Sequence, residues 1–399
     1  MLFLIWLAAG LGGFLPTIRS GRVDLRNMYA AGYMVRTGHG YELYDNAAQK
    51  SIQDRVVSQK DVPLPYIRPA YEALFFVPFS YLPFQVAYWV LLAFNLTVLA
   101  ACFRLLQPYM LNLTRVRAYL PALLLLFFPL TAALLQGQDS IFLLALLIAA
   151  FLCLDQDREC AAGMLVAVGM FKFQMVIPIF LLFVAWRRWR FSVAFASTTA
   201  VLAAISIWVT GATESLRYLE GLTGVASSLG FSEGPALKIS LMANLHGALY
   251  SALSGSALAL PLTIVTSAAL MLAIAMRRPT LHNSLLIAIP AAALVSYYMY
   301  VHDMSVLFLP IVVVLNRLCT GEASPLTHRR LQIGIIAALF LLTTSPVLVH
   351  NLLWLGALPL LAFALMMSAW QARADDLLDS RKIPRLGTID CATSGDFTS

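Results

Sequence analysis

Apolar runs of about twenty residues recur along most of this chain, and they constrain its fold more than any other feature. A helix needs roughly 20 apolar residues to cross a bilayer. Hydrophobic residues make up 60% of the 399 residues and charged residues only 12%, against about one quarter in an average soluble chain. The sequence therefore predicts an all-α, polytopic transmembrane helical bundle of about 11–13 membrane segments. The main runs are 2–18, 84–106, 118–135, 141–154, 161–186, 191–210, 257–276, 285–300, 304–315, 333–349 and 352–370.

Two stretches depart from a simple span. Lys172 interrupts the run 161–186, which predicts two short helices with a reversal of the chain between them. Prolines interrupt 66–83, which is either a short span or a re-entrant segment. We treat 1–370 as one transmembrane domain with an outer loop at 19–69. We expect the polar tail 371–399 to be cytoplasmic and disordered.

Basic residues between the runs predict the orientation. The net charge is +7, and because the basic residues lie between apolar runs they indicate topology rather than nucleic-acid binding. Placing the clusters in the cytoplasm collects Asp24, the turn 136–139, Lys172, the loop 211–244 and His302 on the outer face. The outer loop is itself basic, which suits an anionic lipid headgroup. The cytoplasmic clusters are Arg104 with Arg115 and Arg117, Arg187 to Arg190, Arg277 with Arg278, Arg329 with Arg330, and the tail.

The polar stretch 22–45, RVDLRNMYAAGYMVRTGHGYELYD, follows the first run directly. It predicts an amphipathic interfacial helix over 24–36, with Arg26 on its polar face, and a second helix over 46–59 capped by Asp45. An acid beside the membrane is energetically costly, which indicates a role for Asp24. Asp24 could equally be the N-cap of the helix that follows it.

The cysteines are scattered without paired spacing, so the sequence predicts neither a disulfide framework nor a zinc site. We expect no cofactor and assign no metal ligands. A requirement for a divalent metal stays open.

Four stretches together resemble the GT-C superfamily of integral-membrane glycosyltransferases, and within it glycosyltransferase family 87. They are DLRNMYAAGYMVRTGHGYELYD, GQDSIFLLALL, AAGMLVAVGMFKFQMVIPIFLLFVAWRRWR and YMYVHDMSVLFLP, spread over roughly residues 1 to 320. The segment YIRPAYEAL departs from the pattern, since family members often have a double proline before it.

The resemblance implies a GT-C fold in a bacterial inner membrane, with the active site on the periplasmic face. It implies a polyprenyl-phosphate sugar as donor, mannose as the sugar, a lipid or glycan as acceptor, and Asp24 as the base of an inverting displacement. Phosphate contacts are expected from Lys172, Arg22 or Arg26, and His302, because cations stabilise the charge that develops on a leaving phosphate. Neither the acceptor nor the oligomeric state follows from the sequence.

Each candidate also has a structural interpretation. Lys172 could snorkel from the end of a span, and His302 with Asp303 could cap the span that follows. Asp303 could instead orient His302. Gln138 belongs to a turn and could contact sugar hydroxyls.

Two other classes of protein stay open at this point. A transporter or lipid-linked-sugar flippase would also be polytopic, but the chain shows no internal repeat of the kind that transporters carry. A noncatalytic partner subunit could keep the same fold.

Overall fold

The computed structural model describes residues 2–58, 64–110, 127–226 and 239–318, and these residues are helical without strands. The predicted spans 333–349 and 352–370, the tail, the first half of 118–135, and Arg115, Arg117, Arg329 and Arg330 lie outside these ranges. The helices of the first half are α1 Leu2–Arg19, α2 Leu25–Arg36, α3 Asn46–Val56, α4 Ala70–Phe76, α5 Phe84–Leu106, α6 Phe128–Gln136 and α7 Ser140–Asp155. Those of the second half are α8 Glu159–Val168, α9 Phe173–Ala185, α10 Trp189–Ala226, α11 Leu245–Ala252, α12 Ala259–Ala275, α13 Leu281–Val295 and α14 Phe308–Leu318.

The fold confirms an all-helical membrane bundle. Within the described ranges, three continuous helical stretches are long and apolar enough to cross a membrane. Large apolar side chains such as Trp89, Trp208 and Val265 are exposed on α5, α10 and α12, as expected for surfaces that face lipid. The three long stretches are Phe84–Met110, Glu159–Ala185 and Trp189–Glu220.

The second of these stretches does not run straight through the bundle. A 3-10 turn at Gly169–Lys172 separates α8 from α9. A Cβ on Gly163 of α8 would overlap the backbone carbonyl of Phe191, and the ring of Phe183 on α9 stacks on Phe191 at 3.9 Å. A straight helix would hold Gly163 and Phe183, twenty positions apart, about 30 Å from each other, yet both lie against Phe191. The chain therefore reverses at Lys172, as the polar interruption predicts.

The segment 66–83 does not cross the membrane by itself. Its helix α4 has seven residues, which is about 10 Å of helix against a hydrocarbon core of about 30 Å. A short 3-10 turn, Pro78–Tyr81, follows it and leads into α5.

The outer layer formed by α2, α3 and α4 corrects the interfacial interpretation of α2. Gly32 of α2 lies so close to α4 that a Cβ there would stand 2.5 Å from the backbone of Phe76. The opposite face of α2 is covered by α3, where Arg26 donates from Nε to Gln53 at 2.9 Å and from Nη2 to the carbonyl of Ser58 at 2.9 Å. The sequence predicts Arg26 on the polar face of an interfacial helix, but a second helix packs against that face and leaves Arg26 only 1% exposed.

Asp45 caps α3 as predicted, since its Oδ1 accepts the backbone N–H of Ala48 at 2.8 Å. The helix ends at Val56, three residues before the predicted end. At the other end of the bundle, His282 lies 2.5 Å from Asp155 and Arg188 donates to the carbonyl of Pro279. The basic residues Arg188 and Arg278 therefore lie at the end of α7 that is opposite Ser140.

Candidate active site

The polar residues of the site come from turns that meet at the Ser140 end of α7. Gly137, with a positive φ of 64°, ends α6 and turns the chain into the residues Gln138 and Asp139 that precede α7. The side chain of Asn95, near the middle of α5, donates to the carbonyl of Gln138 at 3.1 Å. The turn therefore lies beside the middle of α5, below the outer layer.

Five charged side chains form a buried chain of alternating sign, which we call the ion cluster: Glu72, Arg68, Asp139, Lys172 and Asp303. Arg68 contacts Glu72 at 2.6 Å and also pairs with Asp139. Lys172 lies 3.0 Å from Asp139 and 2.5 Å from Asp303. Each cation thus has two carboxylate partners, and three carboxylates face two cations. Charges buried to this degree are tolerated only when they are paired, and here every one is.

Polar neighbours complete the ion cluster. Tyr66 donates its hydroxyl hydrogen to Glu72 at 3.3 Å, and burial raises the pKa of this phenol, so it stays protonated. Ser140 donates to Asp303 at 3.1 Å. Asp303 also accepts the backbone N–H of Tyr300 at 3.3 Å, which is a capping contact. Asp303 therefore caps the turn Val301–Leu307, as its structural interpretation predicts, and it also pairs with Lys172.

Asp24 stands at the edge of this cluster. It precedes α2 but makes no side-chain capping hydrogen bond, so the N-cap interpretation fails. Its Oδ2 accepts from Nε2 of Gln138 at 2.7 Å and lies 3.8 Å from Nδ1 of His302. The other ring nitrogen of His302 lies 3.5 Å from Asp303. Asp24 is 33% exposed, so its carboxylate is accessible while the ion cluster behind it is buried.

The structure brings together most, but not all, of the residues selected from the sequence. Asp24, Gln138, Lys172, His302 and Asp303 form one site. Lys172 is 3% exposed and its ammonium contacts buried groups, so it does not snorkel. Arg26 binds α3 instead, and Arg22 is exposed two residues before Asp24.

Sequence reasoning missed Arg68, Glu72 and Asp139 as members of the site. Arg68 and Glu72 are an i, i+4 pair of opposite charge bordering an apolar segment, and that signal could have identified them. Nothing local to Asp139 distinguishes it from an ordinary turn residue. No cluster of three or more potential metal ligands occurs among the described residues.

An apolar cavity of about 330 Å³ lies beside this site. Tyr44 lines it, and the hydroxyl of the same side chain donates to the carbonyl of Arg68 at 2.9 Å. The rest of the lining is nearly all apolar, and Met170, Phe173 and Ile177 contribute from the reversal and from α9. The cavity can therefore hold a hydrocarbon chain close to the charged groups.

Fold and site together define a helical membrane protein with a cluster of buried charged groups at one end of the bundle. The sequence model of glycosyltransferase family 87 matches residues 66–310, which is more than half of the chain, and the chain therefore belongs to this family of membrane glycosyltransferases. The matched region contains the whole ion cluster, Gln138 and His302, whereas Asp24 and Arg22 precede it. No curated protein and no solved structure matches significantly.

Proposed function

We propose that this enzyme transfers a hexose, and specifically mannose, from a polyprenyl-phosphate donor to a lipid or glycan acceptor on the extracytoplasmic face of a bacterial inner membrane. Asp24 acts as the general base in a single inverting displacement. The observation that carries this proposal is an accessible carboxylate held at the edge of a buried ion cluster, with an apolar cavity beside it.

The chemistry needs one proton acceptor. The acceptor hydroxyl gives its proton to the carboxylate of Asp24 while its oxygen attacks the anomeric carbon of the sugar. The bond between that carbon and the phosphate oxygen breaks, the configuration inverts, and the polyprenyl phosphate leaves with the bonding electrons. A positioned base of this kind contributes roughly 10²–10⁴ in rate.

The leaving phosphate needs donors or cations near Asp24. Arg22 and His302 suit this role, because one is exposed two residues before Asp24 and the other contacts its carboxylate. Lys172 is committed to Asp139 and Asp303, so we assign it to holding the site together. The polyprenyl chain of the donor would occupy the apolar cavity.

The orientation rests on the separation of charges. The exposed basic residues Arg187, Arg190, Arg277 and Arg278 belong to the end of the bundle opposite Asp24. The positive-inside tendency then places Asp24 outside. A single cysteine at position 24, in a protein without its native cysteines, should react with an impermeant reagent only from outside. Reaction from the cytoplasmic side alone would refute the orientation and the mechanism.

The decisive experiment for the base is Asp24→Asn. The asparagine keeps an oxygen that accepts from Gln138 but cannot take up a proton. Purified Asp24→Asn should fold and bind donor, and should lose transfer from a labelled polyprenyl-phosphate mannose by roughly 10²–10⁴.

Asp157→Asn is the matched control, because Asp157 is exposed next to the basic end and its positive φ of 57° suits asparagine. It should transfer sugar at the wild-type rate. Near wild-type transfer by Asp24→Asn would show that Asp24 is not the base. If the wild type transfers another sugar and no mannose, the proposed donor sugar is wrong.

A further inference from the structure

Gln138 is held more firmly than a turn residue needs to be. Its backbone N–H donates to the carbonyl of Ala133 at 2.9 Å, and its own carbonyl accepts from Asn95 at 3.1 Å. Its side chain is 4% exposed. The backbone of Gln138 is therefore held by α5 and α6, and its side chain is buried.

The charges around the side-chain amide determine which way it points. Oε1 of Gln138 lies 3.1 Å from Nη2 of Arg68 and 3.2 Å from Nζ of Lys172. Neither cation can accept a hydrogen bond, so the amide oxygen must face them. A flipped amide would place its NH₂ against two cations and its oxygen against the carboxylate of Asp24.

Consequently the amide NH₂ of Gln138 is aimed at Asp24. The distance from Nε2 to Oδ2 of Asp24 is 2.7 Å, which is short for a hydrogen bond from nitrogen and fits a charge-assisted bond. Among the described residues, the contacts to this carboxylate are made to Oδ2, which leaves Oδ1 to face an acceptor hydroxyl.

We propose that Gln138 is a positioning residue for the general base: Arg68 and Lys172 orient its amide, and the amide holds the ionised carboxylate of Asp24 with Oδ1 directed to the acceptor. This inference rests on the proposed function, in which Asp24 is the base. It gives the ion cluster a task in catalysis that is separate from contact with the donor. It also replaces the contact between Gln138 and a sugar hydroxyl that the sequence suggested.

Two substitutions at Gln138 separate this role from the alternatives. Gln138→Met keeps the length of the side chain but offers Asp24 no donor. Gln138→Glu keeps an oxygen for Arg68 and Lys172 but presents a second carboxylate to Asp24. If Gln138 only served the ion cluster, Gln138→Glu would be the milder change, whereas a positioning role makes it at least as damaging as Gln138→Met.

The expected result for Gln138→Met is a fall in kcat of roughly 10- to 100-fold with little change in KM for the donor. Gln136→Met serves as comparator, since Gln136 contacts the backbone N–H of Asp24 at 3.3 Å and not its carboxylate. It should keep the wild-type kcat.

The Asp24→Asn protein is measured beside these variants, and unfolding temperatures show whether each one folds. If Asp24→Asn is inactive while Gln138→Met keeps the wild-type kcat, the inference about Gln138 is wrong and Asp24 remains the base. A change confined to KM would assign Gln138 to the sugar instead. Near wild-type activity of Gln138→Glu would also overturn the inference, and full activity of Asp24→Asn would overturn both proposals.

Discussion

The charged residues at the two ends of the helical bundle differ in their burial. At the Asp24 end, helices stop short at Gln136 and Lys172, and these breaks bring Asp139 and Lys172 into the buried ion cluster. At the basic end, Arg187, Arg190 and Arg278 stay exposed at helix ends. A membrane helix that continues to the surface leaves the charged residues at its end in water, whereas a helix that ends early places them in the interior. The breaks in the helices therefore supply charged residues to the site.

The largest effect should come from removing a cation from the ion cluster. Lys172→Met leaves Asp139 and Asp303 without their shared partner in the interior. Loss of one partner from a buried ion pair costs about 3–5 kcal/mol, so the unfolding temperature in detergent should fall steeply and transfer should be lost with it.

Arg278→Met removes a positive charge from the basic end and should leave the unfolding temperature nearly unchanged, because the side chain is exposed. Equal stability of the two variants would show that the pairing of Lys172 contributes nothing. The defect at Lys172 would then reflect contact with the donor.

Substitution of an exposed arginine should weaken donor binding at the Asp24 end of the bundle but not at the basic end. Arg22→Met removes an exposed cation two residues before Asp24, and the apparent affinity of this variant for the polyprenyl-phosphate donor should fall about 10- to 100-fold, the value of one charge-assisted contact. Arg158→Met removes an exposed arginine that follows α7 at the basic end.

The Arg158 variant should bind donor as the wild type does, in titrations at low and high salt. A similar loss in both variants would indicate general attraction between the protein and anionic lipid, without a phosphate site at Arg22.

The sequence predicted the parts of this fold that depend on local composition. The run 84–106 matches α5, the break at Lys172 is present, and Asp45 caps α3, because apolar length and capping chemistry act over a few residues. The burial of Arg26 could not be predicted from the period of α2, since it depends on where α3 packs.

The site was predictable only in part for the same reason. Asp24, Lys172 and His302 were selectable because each is polar in an unusual place. Arg68 and Asp139 pair across 71 positions of sequence, and Lys172 meets Asp303 across 131. Only the folding of α4, α7 and the reversal against one another brings these residues together.

The outer layer over the site should be sensitive to a single methyl group. Gly32→Ala would place a Cβ 2.5 Å from the backbone of Phe76, so α2 and α4 must separate at a cost of about 1–3 kcal/mol. Gly13→Ala in α1 meets no atom within 4 Å and should be neutral or slightly stabilising, because alanine favours helix. Unfolding temperatures of the two variants test this, and an equally stable Gly32→Ala protein would contradict the close packing of α2 on α4.

The smallest expected effect concerns a second glutamine near the same site. Gln174, in the first turn of α9, is 5% exposed, and neither polar atom of its amide has a hydrogen-bond partner in the described ranges. Gln138 uses both ends of its amide, and the contrast between the two makes Gln174 a candidate for binding the substrate.

An unpaired buried amide destabilises the fold, and leucine of similar size would remove this penalty, so Gln174→Leu should gain about 1 kcal/mol of stability. If transfer falls while stability rises, the amide has its partner in the donor or the acceptor, and substrate should then protect the wild type from heat more than it protects the variant. If stability falls instead, the amide already has a partner in the protein, such as a buried water, and its role is structural. Unchanged transfer with raised stability would remove Gln174 from the site and leave Gln138 as the only one of the two glutamines that serves the reaction.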